Sequence, residues 1–240
     1  MQNVRQITAD RVPYKGKAGK GAMPPKPKFT REEIVETAFA FVCENGMEAL
    51  SARELGARLG SSARPIFTLF ADMNDLKQAV TAKAQERFDA YMKAAEDFTP
   101  AYKKRGMQWV KFASENPKLF RLLFMNREQK AESFEQAVRD MPFGMENDIR
   151  IIMRDYHASR QQAEHLFRQM WTYTYGLCVL CAAKVCAFSD EEIARRLGEI
   201  FRGMVYVITS EPELFTEVTP AEIGTSEGLE IQKLHPDFQK

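Results

Sequence analysis

Apolar residues recur every three to four positions from Thr30 to about residue 210, and no stretch shows the strict alternation of a strand, so the pattern predicts an all-α fold. Thr30 with Glu33 forms a capping-box signature; Ile34, Ala38, Phe41 and Val42 follow at helical spacing, and Gly46 stands where a C-terminal glycine belongs. Ser51 with Glu54 repeats that signature at once. Leu55 and Leu59 make a one-face pair, and Gly60 ends this second, very short helix. Asp72 caps a longer helix running to about Asp97, Thr99-Pro100 opens another, and Pro117 starts a short one within "ENPKLFRLLF". Further helices are expected around Glu128 to Asp140 and Phe143 to His157, broken by Pro142 between them.

Two strongly periodic helices close the pattern. Ser159 with Gln162 caps a run whose apolar face is Ala163, Leu166, Phe167, Met170, Thr174, Leu177, Cys178, Cys181 and Val185. Ser189 with Glu192 caps the other, with Ile193, Leu197, Ile200, Phe201, Met204 and Ile208 at the same period. The chain thus divides into an arm over residues 1–28, a three-helix domain over 29–76, a helical bundle domain over 77–210 and a loose tail over 211–240. The arm mixes lysine, glycine and proline without a period and buries too little apolar surface to offset its ordering entropy, so it is expected to be flexible.

Charge alters this picture through its distribution. The 240 residues carry 34 Lys and Arg against 33 Asp and Glu, a net +1 that by itself favours neither nucleic acid nor a membrane surface. Residues 1–28, however, hold Arg5, Arg11, Lys15, Lys17, Lys20, Lys26 and Lys28 against the single acid Asp10, whereas residues 29–83 hold six basic and eight acidic groups. The arm is strongly basic; the domain after it is not. No run approaches the roughly 18 to 20 apolar residues of a membrane span, and the polar start lacks the apolar core of a secretory signal, so a cytoplasmic location is expected. Cys43, Cys178, Cys181 and Cys186 lie in apolar helical patterns, which suits free thiols in a reducing compartment.

The stretch "LGSSARPIFTLF" carries the candidate chemistry. A helix of about eight residues, a glycine, a tight corner and another short helix is the helix-turn-helix layout, in which Gly60 supplies a backbone conformation that other residues adopt at a cost. Leu55, Leu59, Ile66 and Phe70 would lock the corner into a small core with the first helix. Ser62, Ala63, Arg64, Pro65, Phe67 and Thr68 then occupy the start and outward side of the second helix, the part that reaches base edges and phosphates in double-stranded DNA. Pro65 fixes the register: with Ser62 as N-cap it falls in the first turn, where no backbone donor is lost, and Ser62 must cap the amide of Arg64. Ser51 and Ser62 serve as caps beside a helix-terminus phosphate site, Arg53 is a further DNA-contacting candidate, and Arg64 is the candidate base or phosphate reader.

The stretch "FTREEIVETAFAFVCENGMEALSARELGARLGSSARPIFTLFADMNDLKQAV", residues 29–80, resembles the DNA-binding domain of the TetR family of bacterial transcriptional regulators. The likeness rests on the capped first helix, the Gly46 turn, the "LSARELGARLG" second helix and the aromatic-x-x-Phe end of the third. Beyond it, "FASENPKLFRLLF" and "WTYTYG" look like segments of effector domains in some members. The resemblance implies a homodimer paired through its last two long helices, which represses genes until a small-molecule effector binds. The family usually has tyrosine where Phe67 stands, often histidine at Leu69 and commonly lysine at Met73, all facing phosphate. Each ionic contact missing from such a set shallows the dependence of log affinity on log salt by about 0.9. The basic arm is expected to compensate, along the backbone or in a flanking minor groove.

Trp109, Phe112, Phe120 and Phe124 on the middle helices, with Met170, Trp171, Tyr175 and Cys178 on the penultimate one, are the candidate lining of a largely apolar effector cavity, although aromatics at helical spacing also make plain core. A ligand-binding helical dimer with weakened DNA recognition is a competing reading, consistent with Phe67, Leu69 and Met73. An enzyme or a thiol sensor built on the bundle, the sensor using Cys178, Cys181 and Cys186, is another. Neither catalysis, a metal nor a cofactor is expected: there is no phosphate loop or nucleophile elbow, and His157, His165 and His235 lack a nucleophile partner or metal-ligand spacing.

Overall fold

Side-chain caps start the helices where hydroxyls and carboxylates stand ready to receive backbone amides. In the computed structural model, which describes residues 28–125, 131–139 and 144–210, Thr30 and Glu33 close a reciprocal capping box at the head of α1 (Arg31–Asn45). Ser51 accepts from the Glu54 amide to start α2 (Ala52–Arg58). The third helix, α3 (Ile66–Leu69), is short, and Asp72 then caps α4 (Met73–Lys93) through the amides of Asn74 and Asp75. The bundle continues with α5 (Ala101–Glu115), α6 (Pro117–Phe120), a π-helical turn at Arg121–Met125, α7 (Phe134–Arg139) and α8 (Met145–Tyr156). It closes with α9 (Arg160–Ala182), which has the Ser159–Gln162 capping box, and α10 (Asp190–Ser210), whose first turn is capped by Ser189. All regular structure among the described residues is helical. The expected arm, apart from Lys28, and the expected tail lie outside those residues.

The first three helices share a small core with the start of α4: Ile34, Ala38, Val42, Leu55, Ile66, Phe70, Leu76 and Val80 are sealed from water. Phe41, expected in that core, is half-buried under the Arg58 guanidinium, 5.5 Å from the ring centroid. Phe39 takes the buried place instead, at 8% exposure, with Lys83 and Arg87 of α4 over its ring. The cause is that α1 packs against α4 and α6 as well as α2, so its apolar stripe is wider than a single helical row.

The division expected at residue 76 falls inside α4, which runs unbroken from the small core into the bundle. Its Leu76 and Val80 belong to the N-terminal core; its Phe88 sits edge-on to Phe112 and Phe124 at 5.1 and 5.0 Å. In the bundle α9 runs along α5, α8 and α10, and α5 is packed between α4 and α9. Val185, expected on the apolar face of α9, is 68% exposed. The helix stops at Ala182, Lys184 turns left-handed at φ 57°, and Val185 donates its amide back to the Leu180 carbonyl at 3.0 Å, a helix-terminating motif that lifts its side chain away from the core.

Candidate functional site

Two features of this scaffold carry candidate chemistry: the corner between α2 and α3, and a cavity among the bundle helices. The corner is built by two glycines with different jobs. Gly60 adopts φ +62°, and the bonds Ser61 N–H to Gly56 carbonyl (2.9 Å) and Gly60 N–H to Ala57 carbonyl (3.0 Å) form the paired closure of a Schellman motif. Gly56 lets the returning backbone pass: a methyl group there would lie 3.0 Å from the Ser62 carbonyl carbon and 3.1 Å from the Ala63 nitrogen. Sequence reading singled out Gly60 and missed Gly56, although its place one turn before Gly60 is the signal that was available.

Past the corner, Ser62 Oγ accepts from the Arg64 amide at 3.4 Å, as the position of Pro65 requires, and Thr68 Oγ1 donates to the Arg64 carbonyl at 3.1 Å. Regular α-helix begins only at Ile66; the bond from its amide to the Ala63 carbonyl makes the preceding turn a tighter one. Ile66 and Phe70 are buried and Leu59 is half-buried, as the pattern predicted. Ser51, Arg53, Ser62, Arg64 and Thr68 are exposed, Ala63 and Pro65 are half-buried, and Phe67 is 50% exposed. All eight candidate DNA-contacting residues therefore retain accessible surface at the corner and the start of α2.

Ion pairing separates the arginines of this region into two groups. Arg58 is held by Glu44 at 2.6 Å and Arg31 by Asp75 at 3.1 Å, while the Arg31 guanidinium also covers the Phe70 ring at 4.5 Å. Arg53 and Arg64 have no acidic partner among the described residues. Lys28, the last residue of the basic arm, donates to the Gly60 carbonyl at 3.4 Å, which brings the arm's end to the corner itself.

The cavity has a volume of about 230 Å³ and lies among α4, α5, α8, α9 and α10. Met92, Trp109, Phe167, Met170 and Trp171 give it apolar walls; Tyr102, Tyr156 and Phe201 continue them, with Tyr156 and Phe201 rings 4.6 Å apart. Arg105 of α5 donates through Nε to Asp148 Oδ1 of α8 in the same wall, and the two residues are only 7% and 3% exposed. Burial pushes the Asp148 carboxyl up to about 6 against the opposing pull of Arg105. Burial, reinforced by the Asp148 charge, also holds the Tyr102 phenol well above its ordinary value. Among the described residues the Trp171 indole Nε1 is buried without a hydrogen-bond acceptor.

Of the eight aromatic, Met and Cys candidates for the cavity, the structure brings Trp109, Met170 and Trp171 to its wall. Phe112, Phe120, Phe124 and Tyr175 instead form a packed aromatic cluster beside it: Phe120 stacks on Phe124 at 5.1 Å, Tyr175 stacks on Trp171 at 5.1 Å, and the Tyr175 hydroxyl donates to the Phe124 carbonyl at 3.2 Å. Cys178 is fully buried core. The wall residues that sequence reading missed include the apolar and aromatic Met92, Tyr102, Tyr156, Phe167 and Phe201 and all the charged ones, Lys103, Arg105, Asp148 and Arg202.

Burial pushes the thiols of Cys178 and Cys181 upward, which keeps them protonated and poorly nucleophilic. His157 takes a left-handed φ of 54° to end α8, and His165 is pulled below its ordinary value by burial and by Arg168. No described helix is long and apolar enough to cross a membrane.

No protein-family model matches the chain, and no curated protein matches it. Among solved structures it is similar to a protein of unknown function from Rhodococcus sp. RHA1, with a TM-score of 0.58 and 20% sequence identity over 75% of this chain and 98% of that one. That likeness is one of fold.

Proposed function

We propose that the protein is a DNA-binding transcriptional regulator of the TetR type, a homodimer whose operator affinity is set by a small molecule held in the bundle cavity. The observation that carries this reading is the sorting of side chains at the α2–α3 corner. Leu55, Ile66 and Phe70 are buried, while Arg53 and Arg64 stand exposed with no acidic partner among the described residues. Charged donors uncommitted to the protein's own acids are available to phosphates and base edges. Lys28 reaches the same place, and the basic residues that precede it in sequence would add a sequence-independent electrostatic contribution.

The cavity supplies the regulatory half of the proposal. Because α4 contributes Leu76 to the core under the corner and Met92 to the cavity wall, a ligand that repositions Met92 acts on the reading head through one continuous helix. Coupling of this kind typically amounts to about 1 to 3 kcal/mol. Pairing is assigned to α9 and α10, where Leu180, Ile200 and Tyr206 are apolar and exposed. Repression is the direction the family resemblance suggests.

The test is selection of duplexes from a randomised pool by the full-length chain, with affinity for the enriched site followed between about 50 and 200 mM salt. Enrichment of a two-fold symmetric site, bound by a dimer in sedimentation, supports the proposal. Absence of any enriched sequence would leave the second reading, a ligand-binding helical dimer without tight DNA recognition, which the short α3 and the exposed Phe67 favour.

A further inference from the structure

The charged residues of the cavity fall into two sets. Arg105 and Asp148 satisfy each other inside the wall. Lys103 of α5 and Arg202 of α10 do not: both are exposed, both line the cavity, and neither has an acidic partner among the described residues. They converge over Gly198, where a methyl group would lie 3.3 Å from Arg202 Nη1 and 3.9 Å from Lys103 Nζ, so the two cationic atoms are within about 7 Å of one another. The nearby acid Glu199 is engaged by Arg195, one turn back along α10. Two like charges drawn together at the mouth of an apolar chamber repel each other unless an anion lies between them.

We infer that the cavity binds an anionic amphiphile, a small carboxylic acid with a compact apolar body, the carboxylate seated between Lys103 and Arg202 and the body against Trp109, Met170 and Trp171. The assignment deepens the effector reading above and takes the location of the site from it. The cavity volume of about 230 Å³ suits a compact aryl or medium-chain acid. An amine of the same shape is excluded, since its ammonium would face two cations. A neutral alcohol would leave both unpaired.

The experiment uses the full-length protein and matched sets of probes: 4-phenylbutyrate and octanoate, each with the alcohol and the amine of the same skeleton, followed by isothermal calorimetry and by the tryptophan emission of Trp109 and Trp171. The acids are expected to bind at least about tenfold more tightly than their alcohols, as a hydrogen bond to a charged group implies, and the amines not at all. Lys103→Met with Arg202→Met, at exposed positions that spare the core, should abolish the preference for acid over alcohol while leaving alcohol binding in place. Equal binding of acid and alcohol, stronger binding of an amine, no binding by either acid, or a preference that survives the double substitution would each overturn the inference. Operator affinity is read separately: acid binding that leaves it unchanged upholds the ligand assignment and removes only the regulatory reading.

Discussion

Gly56 and Ser62 approach so closely across the α2–α3 corner that a methyl group on Gly56 would sit 3.0 Å from the Ser62 carbonyl carbon. The neighbour is backbone, which cannot swing aside as a flexible side chain would. Gly56→Ala should therefore destabilise the protein by about 1–3 kcal/mol, the usual cost of overpacking, and displace α3 enough to weaken DNA binding. Gly60 is different: space around it is open, and only its φ of +62° is demanding. Gly60→Asn should be nearly neutral because Asn tolerates that region, whereas Gly56→Asn should not. Denaturant midpoints of the four proteins check the contrast, and equal losses at both positions would contradict it.

The arginines without acid partners should behave as readers and not as structural residues. Arg64→Ala is expected to lower affinity for a selected site by about 1–3 kcal/mol with little change in thermal stability. Arg53→Ala, at the start of α2, should weaken all sequences alike and reduce the salt slope by about 1. Arg58→Ala gives the control, since its guanidinium is already spent on Glu44 and Phe41. Fluorescence anisotropy across a salt series distinguishes the three.

Removing residues 2–27 takes away six basic groups and one acid while leaving Lys28 at the corner. If the arm supplements the corner, affinity falls and the slope of log affinity against log salt becomes shallower by about 0.9 for each phosphate that is no longer neutralised. An unchanged slope would assign the arm some other role.

Asp148 makes a prediction about pH. In the unfolded chain its carboxyl titrates near 3.8, and in the folded protein near 6, so the folded state holds an extra proton between those values. The stability contributed by this group is full below about 3.8 and is lost as pH rises through about 6. Carbon-13 NMR of the Asp148 carboxyl should give a midpoint well above that of ordinary aspartates; a midpoint at or below 3.8 would refute the burial argument. Arg105→Met with Asp148→Leu, which removes both buried charges together, should leave stability nearly unchanged or higher, and should abolish its pH dependence between about 3.8 and about 6.

What could be read from sequence was what is local. The capping residues Thr30, Ser51, Asp72, Ser159 and Ser189 act within three residues of themselves, so their signatures placed the helix starts, and Pro65 foretold the hydrogen bond from the Arg64 amide to Ser62. The stop of α9 was hidden because Lys184, not glycine, takes the left-handed turn. The cavity was least legible. Its ion pair joins residues 43 positions apart, and its mouth is formed by cations from α5 and α10 that look like ordinary solvated charges in one dimension. Periodicity places Phe112, Phe120 and Trp109 alike on the inside, but which rings pack against each other and which border open space depends on how five helices meet.

The continuity of α4 sets a scale for any motion passed between the two ends of the molecule. Leu76 and Met92 are separated by about 24 Å of helix, so swinging the axis by about 5° around Met92 carries Leu76 through roughly 2 Å. In a two-fold pair the paired displacements would add, changing the separation of the two corners by roughly the spacing of neighbouring base pairs. A stiff rod with Leu76 sealed in one core and Met92 on the cavity wall would act as a gear for small pushes, and a hinge introduced near Ala84 is the change that would disengage the cavity from the corner.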